Sequence, residues 1–217
     1  MIKIYEYYLN IQGEGYLMGT PTIFIRLAGC NLNCIFCDTK YSRKEQQAKM
    51  NMHVLDLVGA IYTMAQNKIT HVCVTGGEPL VQREEALKLI HELCRSGFKV
   101  EVETNGSKRI DDLVRMQDVV VNLDCKCPGS GMHNKMKFGN FKLLRQRDQV
   151  KFIIGDNKDY EYAKDILNVY KQRGHVIFTP VGGIDLKWLV EKVIADKLNV
   201  QVLFQMHKLL YGNKRGV

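Results

Sequence analysis

Strand-like and helix-like segments alternate along the chain, and this alternation limits the fold more than any other feature of the sequence. Apolar and β-branched runs predict strands at residues 3–9, 22–27, 71–75, 99–104, 118–123, 150–154, 175–179 and 200–204. Amphipathic spacing predicts helices at 53–67, 83–96, 158–173 and 185–197, the third capped by Gly174 and the fourth by Asp185.

Repeated βα units form a parallel sheet with right-handed crossovers. Because a closed eight-fold barrel takes about 250 residues, a chain of 217 residues is expected to form an incomplete α/β barrel of roughly six βα units. We expect one domain, residues 1–217, with no linker or low-complexity segment.

Three cysteines follow the second predicted strand at C-x₃-C-x₂-C spacing, namely Cys30, Cys34 and Cys37. Thiolates are the usual protein ligands of a [4Fe–4S] cluster, and three of them leave one iron open to a small molecule. A structural zinc site is the alternative, but zinc needs a fourth ligand. The nearest candidates along the chain are His53 and Cys73, so the spacing favours a cluster.

Composition restricts the class of protein. Seven cysteines, an odd number with three in one loop, favour a reducing cytoplasm over a disulfide framework. No apolar run approaches the length of a membrane span and the N-terminus does not resemble a signal peptide, so we expect no membrane association. The net charge of +8 could attract nucleic acid, but the basic residues are spread and partly interleaved with acids, so charge alone does not decide the function.

Other polar residues stand at predicted strand ends, where parallel sheets bind their ligands. Arg26 lies four residues before Cys30 and could bind a carboxylate, although arginines on strands are more often simply exposed. Asp38 and Thr39 could serve Mg²⁺ or cap a helix. Glu78, in a Gly-Gly-Glu-Pro run, could accept a hydrogen bond from an ammonium group.

The two glycines at residues 12–15, Gln-Gly-Glu-Gly, allow either close approach to a ligand or a plain turn. The remaining cysteines are expected to be structural. Cys73 in a strand and Cys94 on a helical apolar stripe belong to the core, and Cys125 with Cys127 could form an auxiliary metal site only with further ligands.

The cysteine spacing, with Phe36 before the third cysteine, resembles the radical S-adenosylmethionine (SAM) superfamily, and Gly-Gly-Glu-Pro resembles that superfamily's motif for the SAM amino group. A narrower resemblance covers the chain from about residue 5 to its end. Gln-Gly-Glu-Gly (12–15), Phe-Ile-Arg-Leu-Ala-Gly-Cys-Asn-Leu (24–32), Cys-Asp-Thr (37–39), Gln-Met-His-Lys (205–208) and Tyr-Gly-Asn-Lys-Arg-Gly-Val (211–217) resemble the 7-carboxy-7-deazaguanine synthase family, in the family's order.

The resemblance implies an incomplete (β/α)₆-type radical SAM barrel with parallel strands and the cluster at their C-terminal ends. It also implies conversion of 6-carboxy-5,6,7,8-tetrahydropterin to 7-carboxy-7-deazaguanine, with ring contraction and loss of ammonia, in 7-deazapurine (queuosine and archaeosine) biosynthesis. The implied cofactors are a [4Fe–4S] cluster, SAM and Mg²⁺. The implied partners are the small pterin substrate, a flavodoxin- or ferredoxin-type electron donor and a second copy of the chain, with no direct nucleic-acid binding.

The resemblance also implies residue roles, with the radical chemistry carried by cluster and SAM and no side chain as acid or base catalyst. Cys30, Cys34 and Cys37 would hold the cluster, and Thr39 would be the magnesium ligand. The SAM contacts would be Phe36, Cys37, Asp38, Gly77, Glu78, Asp124 and Lys126, although this chain has Asp-Cys-Lys where relatives often have Ser-Pro-Lys. The pterin contacts would be Ile11, Gln12, Gly13, Glu14, Arg26, Thr75, His207 and Val217, and His207 has the alternative of an ordinary position on a final helix.

Two other functions compete with this one. A glycyl-radical-enzyme activase shares the cysteine spacing, but the Gln-Gly-Glu-Gly segment and the Asn-Lys-Arg-Gly-Val ending argue against it. A basic metal-binding RNA module predicts salt-dependent affinity for RNA. The chain lacks a basic patch interleaved with aromatic residues, which argues against this second alternative.

Overall fold

The computed structural model describes residues 1–183, 185–212 and 214. Its strands and helices are, in chain order, β1 Ile2–Ile11, β2 Pro21–Leu27, β3 Met50–Met52, α1 Val54–Ala65, β4 His71–Gly76, α2 Arg83–Arg95, β5 Lys99–Thr104, α3 Asp111–Arg115, β6 Val119–Cys125, β7 Gln149–Ile154, α4 Asn157–Val169, β8 His175–Pro180, α5 Lys187–Ala195, β9 Gln201–Val202 and α6 Met206–Tyr211.

A nine-stranded sheet carries the fold, in the order β3-β1-β2-β4-β5-β6-β7-β8-β9. Every neighbouring pair from β2 to β9 is parallel, whereas β1 is antiparallel to both β2 and β3. Strands β3 and β9 are the two ends of this order, so the described strands form an open sheet. The incomplete α/β barrel with parallel strands is therefore confirmed.

The two faces of the central strands differ in chemistry because successive side chains of a strand point to opposite sides. Val74 on β4 and Val102 on β5 are buried in an apolar core with Leu57 of α1 and Leu89 of α2. The alternate positions of the parallel strands carry polar side chains. These are Arg26 on β2, Thr75 on β4, Glu101 and Glu103 on β5, Asn122 and Asp124 on β6, and Gln149 and Lys151 on β7. The sheet therefore turns an apolar face to the helices and a polar face to the barrel interior.

The helix expected at 158–173 ends early, at Val169. Tyr170 leaves helical geometry and stacks on Phe138, with ring centroids 4.6 Å apart. Gly174 is therefore not the cap of this helix. A Cβ at Gly174 would lie 2.2 Å from the main-chain oxygen of Asp148, so the glycine serves a close backbone approach at the start of β8.

The C-terminal part also differs from the prediction. Leu186 occupies the N-cap position of α5 without a side-chain hydrogen bond, so Asp185 as its cap is wrong. Strand β9 has two residues instead of the five expected at 200–204. Strand β3 and helix α3, of three and five residues, are too short to show a recognisable period in the sequence.

Arg145 joins β6 and β7 at their N-terminal ends, opposite to the ends where ligands are expected. Its guanidinium donates hydrogen bonds of 2.7–2.9 Å to the main-chain oxygens of Val114, Met116 and Val119 and to both carboxylate oxygens of Asp148. The Asp148 side chain is fully buried. Loss of the Arg145 side chain would therefore leave three main-chain carbonyls without this donor. It would also leave the Asp148 carboxylate without its counter-charge, with only the main-chain N–H groups of Val121 and residue 145 as donors.

We predict that Arg145→Met lowers the free energy of unfolding by about 3–5 kcal/mol, the usual cost of breaking a buried pair by removing one partner. Urea denaturation measures this change. Arg147→Met, at an exposed position two residues away, is the control and should change the free energy by less than about 0.5 kcal/mol. Equal stability of the two variants would contradict the role given to Arg145.

Candidate active site

A cavity of ≈ 470 Å³ lies at the C-terminal ends of the parallel strands. Its volume is in the range of small-molecule sites. Most of the residues predicted from the sequence line it, namely Ile11, Gln12, Gly13, Glu14, Arg26, Cys30, Cys34, Phe36, Cys37, Asp38, Thr39, Thr75, Gly77, Asp124, Lys126 and His207. Glu78 does not line the cavity, and Val217 lies outside the described residues.

The three cysteines of the loop after β2 are free and partly exposed to this cavity. The sulfur of Cys30 accepts hydrogen bonds from the main-chain N–H of Leu32 at 3.4 Å and from the side-chain amide of Asn105 at 3.7 Å. Burial raises the pKa of the thiols of Cys30 and Cys34. A bound metal deprotonates a coordinating thiol outright, and donors aimed at the sulfur support such a ligand.

The described residues do not place the three sulfurs in a compact zinc site. Zinc holds its ligands at about 2.0–2.3 Å in a tetrahedron, which brings the ligand atoms close together. Cys30, Cys34 and Cys37 belong to no group of described residues whose ligand atoms all lie within 4.8 Å of one another. Three thiolates suit a [4Fe–4S] cluster, whose fourth iron they leave open.

The two glycines after β4 shape the wall beside the cysteine loop. Gly76 has a φ of +143°, and a Cβ at this position would lie 2.2 Å from the main-chain oxygen of Leu27. A Cβ on Gly77 would lie 2.2 Å from the main-chain oxygen of Gly29 and 2.8 Å from the Cβ of Cys30. The glycines therefore let the end of β4 pack against the cysteine loop, which places the main chain of Gly77 at the cavity.

Glu78 lies behind this wall instead of at the ligand surface. Its buried carboxylate accepts hydrogen bonds from the main-chain N–H groups of Leu80 and Asn105, at 3.0 and 2.6 Å, and from the hydroxyl of Thr104 at 2.8 Å. Burial raises the pKa of Glu78 although these donors oppose the shift. The hypothesis that Glu78 meets an ammonium group directly does not fit this position, whereas a supporting role does, since Glu78 holds Asn105 against Cys30.

A chain of four charges, with Lys151 buried and the other three partly buried, crosses the inner face of the sheet. Lys151 lies 2.5 Å from Glu14 and 3.3 Å from Asp124, and Lys126 lies 2.7 Å from Asp124. Burial is the largest single effect on both carboxyls and opposes their ionisation. At Glu14 the charges of Lys151 and His207 and the hydrogen bond from Lys151 together outweigh it, so the pKa is lowered. At Asp124 the charges and hydrogen bonds of Lys126 and Lys151 together lower the pKa. Both lysine pKa values are raised for the corresponding reason. The charges are therefore retained and neutralised in pairs.

Arg26 faces the cavity but already has an acidic partner. Its Nε lies 2.8 Å from a carboxylate oxygen of Glu6, and its guanidinium donates to the hydroxyl of Tyr8 at 3.2 Å. The antiparallel register of β1 and β2 places Glu6 directly opposite Arg26. Binding of a substrate carboxylate by Arg26 remains a prediction, and Glu6 would then share the same guanidinium.

Helix α6 begins against the 12–15 segment and brings His207 to the cavity. The main-chain N–H of Met206 donates to the oxygen of Gly13 at 2.8 Å, and the side-chain amide of Gln205 donates to Glu14 at 2.6 Å. Nδ1 of His207 lies 3.9 Å from a carboxylate oxygen of Glu14. His207 therefore lies at the cavity beside Glu14, and not at an ordinary surface position of the last helix.

The environment of Thr39 fits an oxygen-preferring cation. Thr39 makes no side-chain cap hydrogen bond at the short 3₁₀ turn that follows, so the helix-cap alternative is wrong for it. Its hydroxyl lies 3.7 Å from the sulfur of Cys37. Donor atoms of Glu14, Asp38 and His207 also lie within 4.8 Å of one another. The magnesium ligand role of Thr39 stays a prediction.

Sequence reasoning missed several residues of the site. Glu103 and Lys151 both line the cavity, and Glu103 accepts a hydrogen bond from Thr75 at 2.8 Å. The sequence feature that could have identified both residues is a charged side chain that alternates with apolar residues along a buried strand. Cys94 packs against the apolar core, as expected, and Cys73 is fully buried in its strand beside Glu101 and Glu103. Cys125 and Cys127 are buried in the core, and their interpretation as incidental stays a prediction.

Comparison with known proteins adds family relationships to this geometry. The family model of the radical SAM superfamily matches residues 24–192. Proteins named 7-carboxy-7-deazaguanine synthase from Methanospirillum hungatei and Thermoplasma acidophilum are 38% and 34% identical to this chain. The alignments cover 96% of this chain and 85% of the first protein, and 99% of this chain and 99% of the second. The chain belongs to the 7-carboxy-7-deazaguanine synthase family of radical SAM enzymes.

The fold of this family member also has a solved counterpart. The crystal structure of QueE from Escherichia coli matches with a TM-score of 0.76 over 95% of this chain and 94% of that one, at 24% identity. The likeness supports the open α/β barrel. Family membership implies a [4Fe–4S] cluster and SAM as cofactors, and the three converging cysteines of the cavity fit the first of these.

We predict that Lys151→Met lowers the free energy of unfolding by about 3–5 kcal/mol, because Glu14 and Asp124 lose their shared buried counter-charge. Urea denaturation measures the change. Lys158→Met, at an exposed position of α4, is the control and should stay within about 0.5 kcal/mol of the unchanged chain. A Lys151 variant as stable as this control would contradict the buried-charge network.

We predict that Cys30→Ala, Cys34→Ala and Cys37→Ala each prevent stable assembly of the cluster, because each removes one of its three protein ligands. Iron content and visible absorbance after anaerobic reconstitution measure this loss. Cys94→Ala, in the core away from the cavity, should reconstitute like the unchanged chain. Full iron content in any of the three loop variants would contradict the assignment.

Proposed function

We propose that this chain converts 6-carboxy-5,6,7,8-tetrahydropterin to 7-carboxy-7-deazaguanine, with contraction of a ring and release of ammonia. The observation that carries the proposal is a single cavity in which the three cysteines, the 12–15 segment and His207 meet. Relatives that match nearly the whole chain are named for the same activity, which supports this reaction. The product leads to the 7-deazapurines queuosine and archaeosine.

Held by Cys30, Cys34 and Cys37, the cluster together with SAM would supply reversible hydrogen-atom abstraction from the substrate. The protein holds and orients the reactants. Cys30, Cys34 and Cys37 hold the cluster, while Asn105, supported by Glu78, donates to the Cys30 sulfur. Phe36, Asp38, Gly77, Asp124 and Lys126 are the proposed SAM contacts in the same cavity. No side chain is needed as a general acid or base for this hydrogen-atom transfer.

Residues 11–14 are proposed to bind the pterin. Ile11, Gln12 and Gly13 line the cavity and are proposed to contact the donor–acceptor edge of a pterin ring, and Glu14 adds a carboxylate. A wrong edge would leave buried polar groups unpaired, which costs enough affinity to reject it. Thr75, His207 and the terminal carboxylate of Val217 are proposed to complete this pocket.

The substrate carboxylate is proposed to meet Arg26 and Mg²⁺. The guanidinium of Arg26 faces the cavity, and a planar fork binds a carboxylate well. Mg²⁺ takes few protein ligands and keeps waters, so Thr39 alone could hold it together with the substrate.

The proposal extends to the electron donor, the cellular compartment and the oligomeric state of the enzyme. Reduction of the cluster requires an external electron donor, which we propose to be of flavodoxin or ferredoxin type. All seven cysteines are free, which supports a reducing cytoplasm. None of the helices in the described part of the chain has the length and apolar character to span a bilayer. We further propose that the chain acts as one domain and as a homodimer.

The proposal is tested by anaerobic assay. The cluster is reconstituted, dithionite, SAM, Mg²⁺ and 6-carboxytetrahydropterin are added, and the products are followed by mass. We expect 7-carboxy-7-deazaguanine without a matching net loss of SAM. Cleavage of SAM to 5′-deoxyadenosine with the pterin unchanged would agree with the radical SAM superfamily assignment but would contradict the proposed reaction.

A further inference from the structure

Below the cavity, a carboxyl group that the reaction does not use lies in the barrel interior. Glu101 on β5 is 3% exposed and does not line the cavity. It accepts hydrogen bonds from three side-chain amides, those of Gln12, Asn122 at 3.2 Å and Gln149 at 3.0 Å. These amides reach it from the end of β1, from β6 and from β7. Glu101 therefore joins three separate strands under the site.

Two of these side-chain amides, those of Gln12 and Gln149, also accept hydrogen bonds from the main chain of residues 14 and 16, in the segment proposed to face the substrate. The side-chain oxygen of Gln12 accepts the main-chain N–H of Glu14 at 3.2 Å, and that of Gln149 accepts the N–H of Tyr16 at 2.8 Å. Gly15, between these two anchor points, has a φ of +71°, and a Cβ at this residue would lie 2.6 Å from the side-chain nitrogen of Gln149. The path of residues 12–16 is therefore fixed by the two glutamines.

We propose that Glu101 is a positioning residue, which orients residues 12–16 for the pterin by holding Gln12 and Gln149 from below without touching the substrate. The pterin itself rests on the proposed function, whereas the control of the segment does not. Each glutamine amide donates to Glu101 through its nitrogen and accepts from the segment through its oxygen. Removal of Glu101 frees both amides to rotate, and a rotated amide presents the wrong atom to the main chain above it.

The protonation of Glu101 is part of this role. Burial, followed by the negative charge of Glu103, raises its pKa to about 8. The charged or titratable groups that face it are Glu103 on its own strand, Cys73 on β4 and Lys151 on β7. Below pH 8 Glu101 therefore carries a proton, and above it a second negative charge stands beside Glu103.

The test compares Glu101→Ala and Glu101→Gln, with Cys73→Ala as the control for lost volume in the same interior layer. Hydrogen exchange is measured on the anaerobically reconstituted holoenzyme without substrate. We expect Glu101→Ala to raise exchange at the amides of both Glu14 and Tyr16 by roughly tenfold, as loss of buried hydrogen bonds does. Glu101→Gln keeps one acceptor oxygen but places an NH₂ donor opposite the other glutamine amide, so it should raise exchange at only one of these two amides. Cys73→Ala should exchange like the unchanged protein.

Steady-state kinetics provide the second readout. Glu101→Ala should raise the KM for the pterin by roughly tenfold with a smaller change in kcat, because the loosened segment weakens substrate binding. In the unchanged enzyme the KM should fall as the pH rises through about 8, because the carboxylate accepts from the two glutamine amides more strongly than the neutral acid does. In Glu101→Gln this dependence should be absent. If Glu101→Ala does not fold, the comparison of the unchanged protein with Glu101→Gln on both sides of that pH decides.

Three outcomes would overturn the proposal. They are unchanged amide exchange in Glu101→Ala, equal damage in Glu101→Gln and Glu101→Ala, and equal damage in Cys73→Ala. Failure of the unchanged enzyme to convert the pterin would instead overturn the proposed function, while the exchange measurement would still decide the role of Glu101.

Discussion

The mutual neutralisation of charges on the inner face of the sheet is the constraint on which this structure depends. Moving one ion from water into a protein interior costs several kcal/mol even after relaxation, so Glu14 and Asp124 could not remain ionised there alone. Lys151, 2.5 Å from the first and 3.3 Å from the second, offsets both costs from one position on β7. The polar interior can therefore hold charged groups against a substrate without losing the fold.

The same interior connects parts of the chain that are far apart in sequence. Glu14 receives hydrogen bonds from Lys151 on β7 and from Gln205 just before α6. Glu78 after β4 holds Asn105 after β5, which in turn donates to Cys30 after β2. The cysteine loop and the 12–15 segment are thus fixed by different strands of one sheet. Most of these supports lie in loops just after strand ends, and their mutual hydrogen bonds together with Lys151 on β7 fix those loops to the sheet.

The sequence predicted the open α/β barrel because strand and helix periods are local properties that survive in the fold. It also predicted most of the cavity lining, because polar residues at strand ends meet at one edge of a parallel sheet. Side-chain pairs between neighbouring strands could not be predicted from the sequence. The contact of Arg26 with Glu6 depends on the antiparallel register of β1 and β2, which no local pattern fixes. The end of α4 at Val169 was missed for a similar reason, because Tyr170 is drawn away by a distant Phe138. Glu101 and Lys151 were overlooked because a charge in a buried strand is unusual and has meaning only with its partners.

The central claim is that one cavity at the strand ends holds the cluster, SAM and the pterin together. A crystal structure of the anaerobically reconstituted protein with SAM and 6-carboxytetrahydropterin tests it most directly. The account predicts a cluster on Cys30, Cys34 and Cys37, with SAM at its open iron and the pterin against residues 11–14 and His207. A pterin bound outside the cavity, or a metal on other ligands, would contradict it.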